Sequence, residues 1–206
     1  FSAICSALAK AGYYFGAVVM DAVHFVPQSR PRLFVVGVRE DLALAAPSIA
    51  TDGPCQLWHP RALLTAYGKL SIKAKEKWLW LTLPPPPSRV TTFSDLIEDE
   101  PQGVEWHTAS ETAKLLKMMS SVNREKVNEA RSVRHRIVGT IYKRTRCDEV
   151  GRKVQRAEIR FDDVAGCLRT PAGGSSRQVI MIVDGTTVRS RLISPLESLH
   201  HFPQTH

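Results

Sequence analysis

The sequence predicts a mixed α/β fold built of short helices and strands. Two observations carry that expectation. Within residues 1–38 a helical apolar spacing is followed by two runs rich in β-branched and aromatic residues, giving helix, strand, loop, strand. Beyond a set of proline and glycine breakers, short strands and helices alternate around a dense basic tract.

The elements follow in order. Phe1, Ile4, Cys5 and Leu8 recur at helical spacing, and Gly12 stops the helix. Residues 14–20 and 33–38 read as antiparallel neighbours, the second as a buried strand. Pro47, Asp52, Gly53 and Pro54 mark the exit from this sheet. A short helix is expected over 61–67, a basic stretch over 69–77 and an apolar run over 78–81. The four prolines at 84–87 lack amide hydrogens and form a stiff polyproline connector.

Residues 91–98 form an acidic helix start. Residues 110–119 form a helix capped by Thr108 or Ser110, with Leu115, Leu116 and Met119 as its apolar stripe. A second helix is expected over 122–130. Strands are expected over 137–142 and 154–161, joined by a turn at 148–151. Asp184-Gly185 is a hairpin signal between strands at 179–183 and 187–193. Ser194 caps a last helix beginning at Pro195.

The charge balance narrows the function. Twenty-eight Lys and Arg against 20 Asp and Glu give +8 in 206 residues. That surplus favours a polyanionic partner, nucleic acid before an anionic membrane. The longest apolar runs, near 78–83 and 179–183, are too short to span a bilayer, so no membrane role is expected. No signal peptide is visible, and a first residue other than Met leads us to expect a fragment. Cys5, Cys55, Cys147 and Cys167 show neither metal-ligand nor disulfide spacing and suit a reducing cytoplasm, the expected location. His59, beside Trp58 and Pro60, is expected to be packed rather than catalytic.

The basic tract holds Arg131, Arg134, Arg136, Lys143, Arg144 and Arg146, continuing to Arg152, Lys153 and Arg156, interleaved with His135 and Tyr142. Basic side chains on hairpin-like elements suit phosphate contacts and groove entry. A solvated basic surface is the other reading. Gly173-Gly174-Ser175-Ser176 could cradle a phosphate through backbone amides. It lacks the lysine of a nucleotide-hydrolysing loop.

The most specific stretch is Pro27-Gln28-Ser29-Arg30-Pro31-Arg32, leading into 33–38. Alternation sets Arg30 and Arg32 on one side of an extended backbone, and Pro31 stiffens the segment. Guanidinium forks match phosphate and carbonyl oxygens. This stretch resembles the Q-x-R-x-R block of DNA (cytosine-5) methyltransferases. Residues 160–178, containing Leu168-Arg169-Thr170-Pro171 and Gly173 to Gln178, resemble the block that follows that family's target-recognition region. Arg191 to Leu199 with Phe202-Pro203 resembles the helix segment after it.

The resemblance implies the end portion of a Rossmann-like methyltransferase sheet with an appended mixed α+β target-recognition domain. It assigns 1–45 to the catalytic domain, 46–158 to target recognition and 159–206 to a return segment. Arg30 and Arg32 would then hold the flipped cytosine and nearby phosphates. Gln28, Arg131, Arg134, Arg136, Lys143, Arg144, Arg146, Arg169, Thr170, Ser175, Ser176 and Arg177 would contact double-stranded DNA. The family's glycine-rich S-adenosylmethionine loop, Pro-Cys nucleophile loop and Glu-Asn-Val segment precede the arginine block and are not found here. Gly53-Pro54-Cys55-Gln56 copies the nucleophile wording at the wrong place in the order. The complete enzyme would use S-adenosylmethionine, and this chain alone is expected to be inactive without an N-terminal catalytic half. A non-catalytic DNA-binding module or a split-methyltransferase subunit is the alternative. No metal is implied.

Overall fold

The computed structural model describes residues 1–45, 50–133, 135–168 and 178–199. The described residues form a mixed α/β chain whose three sheets are all antiparallel. The chain divides into two units: residues 1–21 with 31–86, and residues 22–30 with 87–206.

The first unit begins with α1 (Ser2–Lys10), β1 (Tyr13–Asp21) and β2 (Pro31–Arg39). The two strands pair antiparallel from Tyr13 opposite Arg39 to Asp21 opposite Pro31. The second edge of β1 is also closed. Phe15 N–H donates to Lys77 O at 2.9 Å, Leu79 N–H donates to Phe15 O at 2.7 Å, and Val19 N–H donates to Trp58 O at 2.8 Å. The close approach explains Gly16: a Cβ there would lie 2.2 Å from the Leu79 carbonyl oxygen. Two-residue strands β3 (Ala50–Thr51) and β4 (Trp80–Leu81) pair beside it, with α2 (Arg61–Gly68) and α3 (Ile72–Glu76) between them in sequence.

Trp78 centres the core of this unit, touching the rings of Phe1, Phe15, Tyr67 and Trp80. β1 is buried through its middle, but β2 corrects the expectation for 33–38. Leu33, Phe34 and Val36 are 48%, 45% and 41% exposed. These apolar side chains lie on both faces of the strand, because successive residues alternate. No described strand pairs with its outer edge.

The second unit is built on the sheet β6-β5-β7-β8, formed by β5 (Ile137–Cys147), β6 (Lys153–Arg160), β7 (Val179–Asp184) and β8 (Thr187–Leu192). Helices α4 (Ala109–Lys117) and α5 (Ser121–Ser132) contribute to the core on one face, where Leu115, Met119, Val127 and Ala130 pack with Ile141, Ala157, Ile159 and Met181. The other face buries Val138, Ile180 and Ile182 with Phe93, Ile97, Ala165 and Leu168. Thr108 starts α4 through a reciprocal capping box with Glu111, which holds the Glu111 carboxyl below its ordinary pKa. Helix α6 (Pro195–Leu199) follows Ser194, whose hydroxyl accepts from the Glu197 amide as expected for a cap.

Strand β5 runs five residues beyond the expected Tyr142, to Cys147. Its cationic half lies outside the core and shows no apolar alternation, so hydrophobic patterning stopped short of the true strand end. Pairing with β6, from Thr140 opposite Arg160 to Cys147 opposite Lys153, carries the strand that far.

Candidate nucleic-acid interface

The Gln28 segment and the segment over 164–168 are 137 residues apart at their point of contact, yet they are stitched together inside one unit. Ala165 N–H donates to Pro27 O, and Ser29 N–H donates to Ala165 O, both at 2.8 Å. Gln28 and Ala165 thereby form a parallel bridge. The approach is anchored in the core: Ala165 is fully buried, and Val164 O accepts a 3.5 Å hydrogen bond from the Thr140 hydroxyl on β5. Gln28 itself is buried, and its Nε2 has no hydrogen-bond partner among the described residues. Arg30 O accepts from Ala22 N–H and closes the 22–30 loop.

The β5–β6 hairpin divides its charges by face. Ile141, Ala157 and Ile159 point into the helix-covered core. Tyr142, Arg144 and Arg146 on β5, with Arg156, Glu158 and Arg160 on β6, therefore occupy the opposite face. Arg144 stands directly across from Arg156, a like-charged pair that costs stability unless an anion lies nearby. Glu158 supplies one carboxylate to both Arg146, at 2.6 Å, and Arg144, at 3.5 Å. Arg160 is held by Asp162, which pushes its already high pKa further up.

Between this face and the 164–168 segment lies a cleft of about 510 Å³, lined in part by Tyr142, Arg144, Arg160 and Lys126 of α5. Gly166 forms part of its wall because only a residue without Cβ fits: a Cβ there would lie 2.3 Å from the Tyr142 hydroxyl.

The support behind β8 is polar and buried. Arg191 and Glu197 are both fully buried and paired at 2.5 Å. Burial opposes the charge on Glu197, but hydrogen bonds from Arg191 and from the Ser194 and Glu98 amides outweigh it and lower its pKa. Arg189 stacks 4.1 Å from the ring centre of Trp106.

Against this geometry stand the comparisons with known proteins. The model of the C-5 cytosine-specific DNA methylase family matches residues 1–200. The chain belongs to that family. No curated protein and no solved structure gives a match.

The family's members transfer a methyl group to C5 of cytosine in DNA. Arg32 lies on β2 opposite Met20, is exposed, and donates to Pro31 O at 2.8 Å. Arg30 is half-buried. Lys143, Arg144 and Arg146 are exposed on β5, with Lys143 on the face opposite the two arginines. Arg131 is exposed in the last turn of α5. Arg136 donates to Ile97 O at 3.0 Å and pairs with Asp99 at 3.3 Å. Arg134, Arg169, Thr170, Ser175, Ser176 and Arg177 lie outside the described residues.

Lys126, Asn123 and Gly166 join the cleft without having been singled out from sequence. Lys126 carries no sequence signal, because only the packing of α5 beside β6 brings it there. The split of the hairpin's charges into two faces was hidden too, because it needs β5 to run past Tyr142. His59 is buried at 2% exposure; its Nδ1 accepts from the Cys55 amide at 2.8 Å, and desolvation lowers its pKa. Cys55 thus sits in a histidine-braced turn.

S-adenosylmethionine is the methyl donor the family normally uses. The cationic cleft does not suit it, since Lys126, Arg144 and Arg160 would repel a sulfonium. Among the described residues no group of three or more His, Cys, Asp or Glu is placed to hold a metal, and no helix is long and apolar enough to cross a membrane.

Proposed function

We propose that this chain is the C-terminal, DNA-recognising portion of an S-adenosylmethionine-dependent DNA (cytosine-5) methyltransferase of the restriction-modification type, acting in the cytoplasm. The observation that carries this reading is the Gln28–Ala165 bridge, which joins the two segments most similar to the family's ordered blocks. In this reading residues 1–45 end the catalytic domain, 46–158 recognise the target and 159–206 return to the catalytic domain. The arginine-rich β5–β6 hairpin contacts duplex phosphates and base edges. Arg30 and Arg32 hold the flipped cytosine and adjacent phosphates.

Methyl transfer needs a thiolate added at C6 and a proton donor at N3 of the base. In this proposal the remainder of the catalytic domain supplies both, together with the cofactor's seat. Extruding a base costs a few kcal/mol, which interactions on both sides of the base must offset.

The open outer edge of β2 favours a second reading, a split-methyltransferase subunit. An apolar strand that leaves Leu33, Phe34 and Val36 exposed, side chains that alternate between its two faces, suits an interior position in a larger, more fully covered sheet. The same edge would accept a strand from a separate catalytic subunit.

The test mixes this chain with a catalytic half carrying the nucleophile and cofactor loops, then measures methyl incorporation into duplex DNA. Activity is expected only in the mixture. Methyl transfer by this chain alone, or failure of the chain to bind duplex DNA, would overturn the proposal.

A further inference from the structure

The cleft beside Tyr142 holds features that general basicity does not explain. Its walls bring together three cations, Lys126, Arg144 and Arg160, around one carboxylate, Glu158. They come from a helix and both strands of the hairpin, so the convergence is tertiary. Glu158 is already engaged by Arg144 and Arg146, and Arg160 by Asp162. Arg144 still faces Arg156 across the strand pair. The cleft therefore keeps a surplus of positive charge after its internal pairs are counted.

Its polar wall also contains a buried hydroxyl. The Tyr142 Oη is buried and makes no hydrogen bond of good geometry with any of the described residues, although the Arg160 guanidinium stands beside it. Buried hydroxyls almost always find a partner, so an unmatched donor in a cationic cleft points to an acceptor that enters from outside. Gly166 keeps the 164–168 segment down against that ring. The same segment is bridged to Gln28, and Ser29 lies on the cleft wall.

We propose that this cleft seats one sugar-phosphate unit of the DNA backbone, with the phosphate oxygens taken by Arg144 and Lys126 and by the Tyr142 hydroxyl. The site rests on the DNA-recognition reading and deepens it: it fixes where one strand runs past the Gln28 segment. Its volume of about 510 Å³ accommodates a sugar with its phosphate. Arg144 supplies a planar fork, Lys126 a compact charge, and Tyr142 a neutral donor that orients without adding charge.

The test uses this chain and a labelled mixed-sequence DNA duplex, with affinity measured at several salt concentrations. The double variant Lys126→Gln, Arg144→Gln is expected to shallow the plot of log affinity against log salt by about 0.9 for each phosphate that is no longer neutralised. Tyr142→Phe is expected to weaken binding by about tenfold, the worth of one hydrogen bond to a charged acceptor, with the slope unchanged. A second readout needs no change of affinity. Cys167 is an exposed thiol on the cleft wall, and in a Cys147→Ser background duplex DNA is expected to slow its labelling by a maleimide severalfold.

A parental slope in the double variant, with Cys167 labelled equally fast in free and bound chain, would overturn the site while leaving DNA recognition intact. No binding of duplex DNA by the parent chain would overturn the reading beneath it. Equal binding of duplex RNA, with the same weakening in the variants, would overturn the assignment to DNA.

Discussion

Arg191 and Glu197 form two hydrogen bonds, Nη1 to Oε2 at 2.7 Å and Nη2 to Oε1 at 2.5 Å, with neither side chain reaching solvent. Arg191 also donates to the carbonyl of Glu98, and Glu197 accepts from the amides of Glu98 and Ser194. One ion pair thus ties β8, the start of α6 and the 97–99 segment together. Removing one partner leaves a buried charge without its counterion. Arg191→Met or Glu197→Gln is expected to cost about 3–5 kcal/mol, read from urea unfolding. A cost below about 1 kcal/mol would show that the pair is bypassed. The Glu197 pKa is lowered on folding, so its contribution is present above the ordinary carboxylate range and fades as pH falls through and below it.

His59 carries a second pH dependence. Its folded pKa lies below the ordinary value of about 6.5, so between the two values the unfolded chain binds more protons. Stability is therefore full above about pH 6.5 and falls as the solution is acidified below it. His59→Gln is expected to flatten the unfolding midpoint between pH 7 and pH 5. A variant with the parent's slope would assign the dependence elsewhere.

Gly16 is expected to tolerate no side chain. Alanine would place its Cβ against the Leu79 carbonyl, and backbone cannot swing aside as a flexible side chain does. Overpacking of this kind costs typically about 1–3 kcal/mol. Gly53→Ala, where a Cβ would meet no atom within 4 Å, is the matched control and is expected to change stability little.

The arginines of the Gln28 block are expected to separate affinity from activity. In the proposed mixture of this chain with a catalytic half, Arg30→Ala or Arg32→Ala should lower methyl transfer more than duplex binding. A drop in affinity shared by all DNA sequences, with methyl transfer per bound complex unchanged, would remove the base-positioning role.

Neutralising Lys143, Arg144 and Arg146 together tests the hairpin as a whole. The salt dependence of DNA binding should flatten by about 0.9 for each phosphate left without its cation. An unchanged slope would place that strand toward solvent.

Much of the fold was legible beforehand. The helical spacing of Phe1, Ile4, Cys5 and Leu8, the Thr108 cap, the Asp184-Gly185 turn and the antiparallel neighbours around Arg30 and Arg32 all appear as expected. These are local signals, fixed by residues within a turn or a hairpin of one another. Leu33, Phe34 and Val36 depart from the buried strand expected, because apolar character reports a tendency to be buried, not the presence of a neighbour to do it.

The sequence by itself determined most of the elements, the excess of positive charge and the ordered blocks that mark the family, since each depends on residue type and short-range order. Tertiary structure decided which cations converge. It paired Arg144 with Arg156, brought Lys126 of α5 to the hairpin, and joined Gln28 to Ala165. Such pairings depend on strand register and on how a helix packs over a sheet. Both are set by complementarity of buried surfaces far apart in the chain, which no local pattern of residues encodes.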